Sequence, residues 1–279
     1  MDNMKYDRQE FSIVGFQDKI SVDFDEDGFG VGRIIGSDLA DSLCLFNKKT
    51  MTGKRLPTEY QQTELILYPF CGGYSEGRIM VSSIGEVELQ YHHNRYPCAG
   101  MWGWLDTDFN VVIPPQYIYA MNFVDGQAIV CKGNWNIDAQ QRYWCDHEAW
   151  GVIDKDGKEI VPCTFDELYE IAGANWLFFV HEGGWEQGHY AIYDANQKKN
   201  ILELNFDFDC GYMFNEILVT NHGVLVMIDH QPGEGFDYIH AYDLTCEKWI
   251  VQKEKYTERK INGQNKMIVN KDGKDIIVF

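Results

Sequence analysis

No stretch of this 279-residue sequence approaches the roughly 20 consecutive apolar residues a helix needs to cross a bilayer. Its start, MDNMKYDRQEF, has no apolar run behind a basic segment, so no secretory signal is expected. Cysteine is present but not concentrated. Eight residues at irregular spacings lack the dense pairing of a small secreted scaffold, and they read as reduced thiols. A cytoplasmic location with no membrane partner is the expectation. Basic residues are scarce too: 24 Lys and Arg against 43 Asp and Glu leave a net charge of −19. Such a surface repels nucleic-acid phosphates, so no nucleic-acid partner is expected, and it speeds encounter with basic partners. The plainer reading of the same charge is solubility.

The signatures of common chemistries are also missing. There is no CxxC pair and no HExxH, so Cys145-x-His147 and His92-His93 with Cys98 lack zinc-site spacing. Asp23-Phe24-Asp25-Glu26-Asp27-Gly28 matches the first half of a calcium loop. The twelfth position, where a bidentate Glu belongs, is Ile34, and the stretch reads as an acidic turn. The glycines at 28, 30 and 32 lack the Lys-Ser/Thr of a phosphate loop, and no Gly-x-Ser-x-Gly elbow exists. Asp207 and Asp209 would share one face of a strand, but an acidic chain supplies many such pairs. No catalytic residue, metal or cofactor is therefore assigned.

What the sequence does have is a repeated hairpin. In WGVIDKDGKEIVP, Trp150, Val152 and Ile153 begin one β-prone run, and Lys158, Ile160 and Val161 form another. Asp156-Gly157 between them is turn chemistry: the glycine takes the left-handed conformation and an Asp side chain bonds the turn backbone. Pro162, lacking a donor, ends the second run. Trp102-Gly103-Trp104-Leu105-Asp106 followed by Val111-Val112-Ile113-Pro114 repeats this pattern. So do Tyr190-Ala191-Ile192-Tyr193-Asp194 with Asn200-Ile201-Leu202, Leu225-Val226-Met227-Ile228-Asp229, Cys44-Leu45-Phe46-Asn47, and the closing MIVNKDGKDIIV. An aromatic residue falls three positions after the second strand at Tyr60, Tyr117, Phe165 and Phe206. A third strand follows an aromatic-x-acidic-Gly start, as in Tyr74 to Val81 and Phe123 to Val130. Phe29 to Ile35 reads as an earlier copy, and Ala174 to Val180 and Asn215 to Val219 as later ones.

The run Trp150-Gly151-Val152-Ile153-Asp154, then Asp156-Gly157, Ile160-Val161-Pro162 and Phe165-Asp166, resembles the WG repeat, also called KWG. The resemblance covers roughly 41–279 and is clearest over 102–180; at Tyr190-Ala191 and Leu225-Val226 the WG pair is replaced. It implies a bacterial binding scaffold with no shared catalytic residues to transfer.

The expected fold is all-β: tandem antiparallel three-stranded β-hairpin repeats forming an open array or a closed ring, the two left undecided. Residues 1–40 read as an N-terminal β segment, a degenerate repeat, and 41–279 as the repeat array. Trp102 and Trp150, each beside a glycine, read as packing residues between hairpins, and Asp106, Asp154, Asp194 and Asp229 as turn-capping acceptors.

Function is sought where the repeats differ. The chain advances 21 residues from Val81 to Trp102 and 20 from Val130 to Trp150, but 10 from Val180 to Tyr190 and 6 from Val219 to Leu225. Insertions at one equivalent position emerge on one face of an array, commonly the binding face. The first insertion carries Tyr91, His92, His93 and Tyr96; the second carries Trp135, Tyr143, Trp144 and His147; the third carries Trp185 and His189. Rigid aromatics among hydrogen-bonding side chains suit an interface, and these ten residues are the candidate partner-binding set. The alternative is that the loops fold back and cap the core. The expected function is a non-enzymatic cytoplasmic protein-binding scaffold. Its concrete form is an acidic immunity-type inhibitor of a basic toxin or effector. The alternative class is a carbohydrate-binding or carbohydrate-cleaving β protein.

Overall fold

The computed structural model describes residues 9–11, 20–22, 24–34, 43–56, 59–60, 63–66, 73–83, 100–137, 143–183, 189–204, 216–230, 237–261, 264–271 and 274–277. Among them every regular element is a strand, and every strand pairing is antiparallel. The chain forms two units, residues 1–166 and 167–279.

Among the described residues the first unit holds three sheets. Gln9–Phe11, Ile20–Val22, Phe29–Ile34, Leu43–Asn47 and Thr52–Arg55 pair in that order. The second sheet runs Val111–Tyr117, Met101–Leu105, Arg78–Ser83, Thr63–Ile66 and Glu59–Tyr60, with Tyr74–Ser75 also on Arg78–Ser83. The third runs Tyr119–Ala120, Gln127–Ile137, Tyr143–Asp154 and Glu159–Phe165. In the second unit, Glu167–Glu170, Leu177–Glu182, His189–Asp194 and Lys199–Leu204 make one sheet. Glu216–Val219, Val224–His230, Asp237–Asp243, Lys248–Ile261, Gln264–Lys271 and Lys274–Ile277 make the other.

The strands predicted from the hairpin pattern are present, but the sheets are assembled one step out of phase with the sequence repeat. The third strand pairs with the tryptophan-bearing strand that follows it: Gln127–Ile137 lies against Tyr143–Asp154, with Cys131 opposite Trp150. A short strand, Tyr119–Ala120, is added on the other side. The Leu225 repeat sits in a different register from that expected. Ile239 to Asp243, not Leu225 to Asp229, is the counterpart of Tyr190 to Asp194. Asp243 accepts the turn amides of Thr245 (2.8 Å) and Cys246 (3.2 Å), whereas Asp229 lies within a strand opposite Tyr238.

The turn chemistry is as read. Asp154 Oδ1 accepts the amides of Asp156 (3.0 Å) and Lys158 (2.9 Å), Asp106 Oδ1 those of Asp108 and Asn110, and Asp194 Oδ1 those of Asn196 and Gln197. Asp25 closes an acidic turn between two strands in the same way, accepting the amide of Phe29. The aromatic-x-acidic-Gly motif also has a geometric cause. Glu76 and Gly77 (φ 46° and 83°), like Asp125 and Gly126 (φ 52° and 78°), are successive left-handed residues, which a type I′ turn requires.

The glycine of the WG pair marks a bulge. Trp102 faces Tyr117 and Trp104 faces Ile113, so three residues stand opposite Gly103; three likewise stand opposite Gly151, between Phe165 and Val161. A Cβ on Gly103 would meet Ile113 O at 2.4 Å and Pro115 N at 2.6 Å. Where Ala191 replaces the glycine, pairing is regular: Tyr190 to Leu204, Ala191 to Glu203, Ile192 to Leu202. A side chain and a two-residue bulge cannot share this space.

Alternate residues of the inner strands feed two cores. Ile79 and Val81 join Leu45, Leu56, Tyr74 and Leu105, while Met80 joins Trp104, Ile113, Tyr117, Phe123, Ala128, Val130 and Ile153. Trp104 is fully buried, edge-on to Tyr117 (6.0 Å) and 5.2 Å from Phe123. A ring of this size removes roughly 200 Å² from water, on the order of 5 kcal/mol before conformational entropy is charged. In the second unit, Phe179, Ile192 and Leu204 pack on Leu225, Met227 and Tyr242.

Candidate functional site

The second insertion is not a loop but an extension of its own sheet. Gln127–Ile137 and Tyr143–Asp154 run on as one hairpin past Lys132 opposite Ala149, out to Ile137 opposite Tyr143. Between Lys132 and Asn134 the register shifts, so Gly133 opposes both His147 and Glu148. His147 takes φ 53°, and a Cβ on Gly133 would meet Ile118 Cδ1 at 2.7 Å. The extra residue reverses the alternation of the returning strand. Cys145 therefore shares a face with Trp150, although five positions separate them, and pairs there with Trp135.

That face gathers three rings. Tyr119 stacks on Trp150 with centroids 5.7 Å apart and planes 4° from parallel, and it meets Trp135 at 5.9 Å and 62°. Tyr119 is 40% exposed; Trp135 and Trp150 are part-buried. Along the same segment Met121 (53%) and Val124 (59%) are also exposed. Trp135 Nε1 donates to Gly100 O at 3.3 Å, which ties the arm to the end of the first insertion.

Burial pushes up the Tyr119 phenol, helped by its hydrogen bond with Cys145 Sγ (3.7 Å) and by the negative charges of Cys145, once ionised, and Glu148. Burial also raises the thiols, Cys131 to about 12 and Cys163 to about 11; both remain protonated and unreactive at neutral pH. Cys145 is raised by burial as well, with Glu148 and Asp146 adding to it. On the opposite face of the arm, Lys132 Nζ meets Glu159 Oε1 at 2.6 Å; this bond raises the lysine and lowers the glutamate.

Of the candidate residues, Trp135 is thus in the aromatic cluster and His147 is exposed at the bulge. Tyr143 and Trp144 hold strand positions opposite Ile137 and Asn136. Tyr91, His92, His93, Tyr96 and Trp185 lie outside the described residues. His189 belongs to the second unit, exposed, with Nε2 at 3.6 Å from Glu203 and 3.9 Å from Glu182. Trp150, expected as packing, is part of the half-open cluster, and Trp102 sits at the margin of the core that Trp104 fills. Tyr119, Met121 and Val124 were missed. No local signal marks Tyr119, whose ring neighbours Trp135 and Trp150 lie far downstream in the sequence. Among the described residues no three His, Cys, Asp or Glu side chains are grouped to hold a metal ion.

A family model for the WG-containing repeat matches residues 102–134 and 150–185. These two segments are WG-containing repeats. The matched segments contain both bulge glycines, Gly103 and Gly151, and the arm strand with Trp135 lies at the edge of the first. No curated protein matches the chain. Several solved structures overlap it weakly. An oligogalacturonate lyase in complex with manganese is 10% identical, with 92% of this chain and 74% of that one covered and a TM-score of 0.36. The oligogalacturonate lyase of Vibrio parahaemolyticus is 10% identical, covering 90% and 73%, with a TM-score of 0.36. The tricorn protease is 12% identical, covering 94% and 28%, with a TM-score of 0.33. At such scores the overlaps say nothing of what this chain does.

Proposed function

We propose that this WG-repeat protein is a non-catalytic cytoplasmic scaffold that binds another protein through the hairpin arm and the rings at its base. The observation that carries this reading is the arm itself. The sheet is already complete at Cys131 opposite Trp150, yet the two strands continue for several residues and leave Tyr119 and Trp135 partly open to solvent. Half-exposed aromatics on a rigid hairpin lose little conformational entropy on binding, which suits an anchor. The five described cysteines, Cys44, Cys131, Cys145, Cys163 and Cys246, are free thiols, in keeping with a reducing compartment. The net charge of −19 favours a basic partner, and an immunity-type inhibitor of a basic toxin is its concrete form.

The test is affinity capture from the native host with the full chain and with a variant in which residues 133–148 are replaced by Asn-Gly. The expected result is a single protein retained by the full chain and lost from the variant. Equal retention by both overturns the reading. The stacked Tyr119–Trp150 pair would also serve a sugar ring, so a glycan array run on the same two proteins tests the alternative.

A further inference from the structure

The geometry points to a cationic side chain, arginine or lysine, presented by a basic protein segment and received over the Tyr119, Trp135 and Trp150 rings beside Glu148. This deepens the protein-binding reading and rests on it. Aromatic faces attract cations through their quadrupole, most strongly when the ring is a tryptophan and the cation is partly desolvated. Three rings offer faces in two directions here, since Tyr119 is parallel to Trp150 and tilted by 62° to Trp135.

The chain supplies its own cations to other rings. Lys54 Nζ lies 5.9 Å from the Phe109 ring centre, Lys253 Nζ 5.6 Å from Tyr238, and Lys48 Nζ 5.7 Å from Phe24. Among the described residues no cation lies over the Tyr119 cluster. Lys132 is on the adjoining strand, but it faces the other side of the arm and is held by Glu159 at 2.6 Å. A carboxylate, by contrast, is close: the Glu148 charge acts on both the Tyr119 hydroxyl and the Cys145 thiol. Among the described residues no ion pair engages Glu148. Met121 and Val124 add exposed apolar surface on the same segment for the aliphatic stem of the incoming side chain.

The test titrates the intact protein with an arginine-rich peptide and with the same peptide carrying citrulline, the neutral isostere, following tryptophan fluorescence. The expected result is binding of the arginine peptide at least ~10-fold tighter than the citrulline peptide. Tyr119→Phe keeps that affinity, and Tyr119→Leu, checked for an unchanged Tm, loses about 10-fold. Glu148→Gln weakens binding and flattens its salt dependence, whereas Glu170→Gln, an exposed carboxylate of the second unit, does neither. Equal binding of the citrulline peptide, or an effect of Glu170→Gln as large as that of Tyr119→Leu, overturns the inference. So does a neutral glycan whose binding depends on Tyr119. A captured partner that needs the arm but tolerates Tyr119→Leu sinks this inference and leaves the scaffold reading standing. Capture that ignores the arm, beside an arginine peptide that needs Tyr119, does the reverse.

Discussion

Gly151 lies against Cys163 with no room for a methyl group: a Cβ there would stand 2.8 Å from both the backbone nitrogen and the sulfur of Cys163. Gly103 is tighter still. Gly151→Ala and Gly103→Ala should each cost about 1–3 kcal/mol, because backbone rather than a flexible side-chain tip must move. Ala191→Gly, at the equivalent position without a bulge, should cost only about 0.5–1 kcal/mol. Urea denaturation of the three variants measures this order directly.

Asp154 holds its turn by accepting hydrogen bonds from two backbone amides at one carboxylate oxygen. Asp154→Ala should cost about 1 kcal/mol, while Asp154→Asn, which keeps an acceptor oxygen, should lose less. Differential scanning calorimetry separates the two variants.

His240 Nδ1 accepts the Lys253 amide at 3.3 Å inside the second unit, and burial followed by the Lys253 charge lowers its pKa from 6.5 to about 4. A histidine whose folded pKa is depressed leaves stability untouched above its unfolded value. It removes stability as pH falls from about 6.5 towards 4, because the unfolded chain then takes up the proton first. The loss below that window is of order 3 kcal/mol. The difference in stability between the native protein and His240→Gln should therefore shrink as pH falls from 7 to 4. A difference independent of pH would contradict it.

Alkylation at neutral pH, read peptide by peptide in a mass spectrometer, should mark Cys246 first, since it is exposed. Cys131, buried with its thiol held protonated, should label far more slowly, and Cys163, protonated but part-exposed, should fall between. Unfolding in urea should bring all three to similar rates.

The hairpins were legible because their determinants are local: an Asp, a turn and a glycine, within a handful of residues. The pairing of the third strand was not, since nothing local says which of two flanking hairpins it joins. The register at Leu225 is hidden for a related reason. Leu225-Val226-Met227-Ile228-Asp229 has the composition of the repeated strand, yet the turn that would confirm it follows Asp243. The arm was recognised as an insertion and its tryptophans as candidates. Its extended form was hidden because one extra residue at His147 breaks the alternation that announces a strand. Tyr119 was hidden because its importance comes from Trp135 and Trp150, 16 and 31 positions downstream.

The out-of-phase assembly dictates where this molecule can be lengthened. Copying one tryptophan-glycine pair up to the next, residues 102–149, would duplicate halves of two different sheets and leave both open. A copy of 118–165 instead carries four mutually bonded strands, from Tyr119–Ala120 through Glu159–Phe165, with both edges as they are now. The natural joints of the protein therefore fall just after Tyr117 and Phe165, the two buried rings that close each second strand.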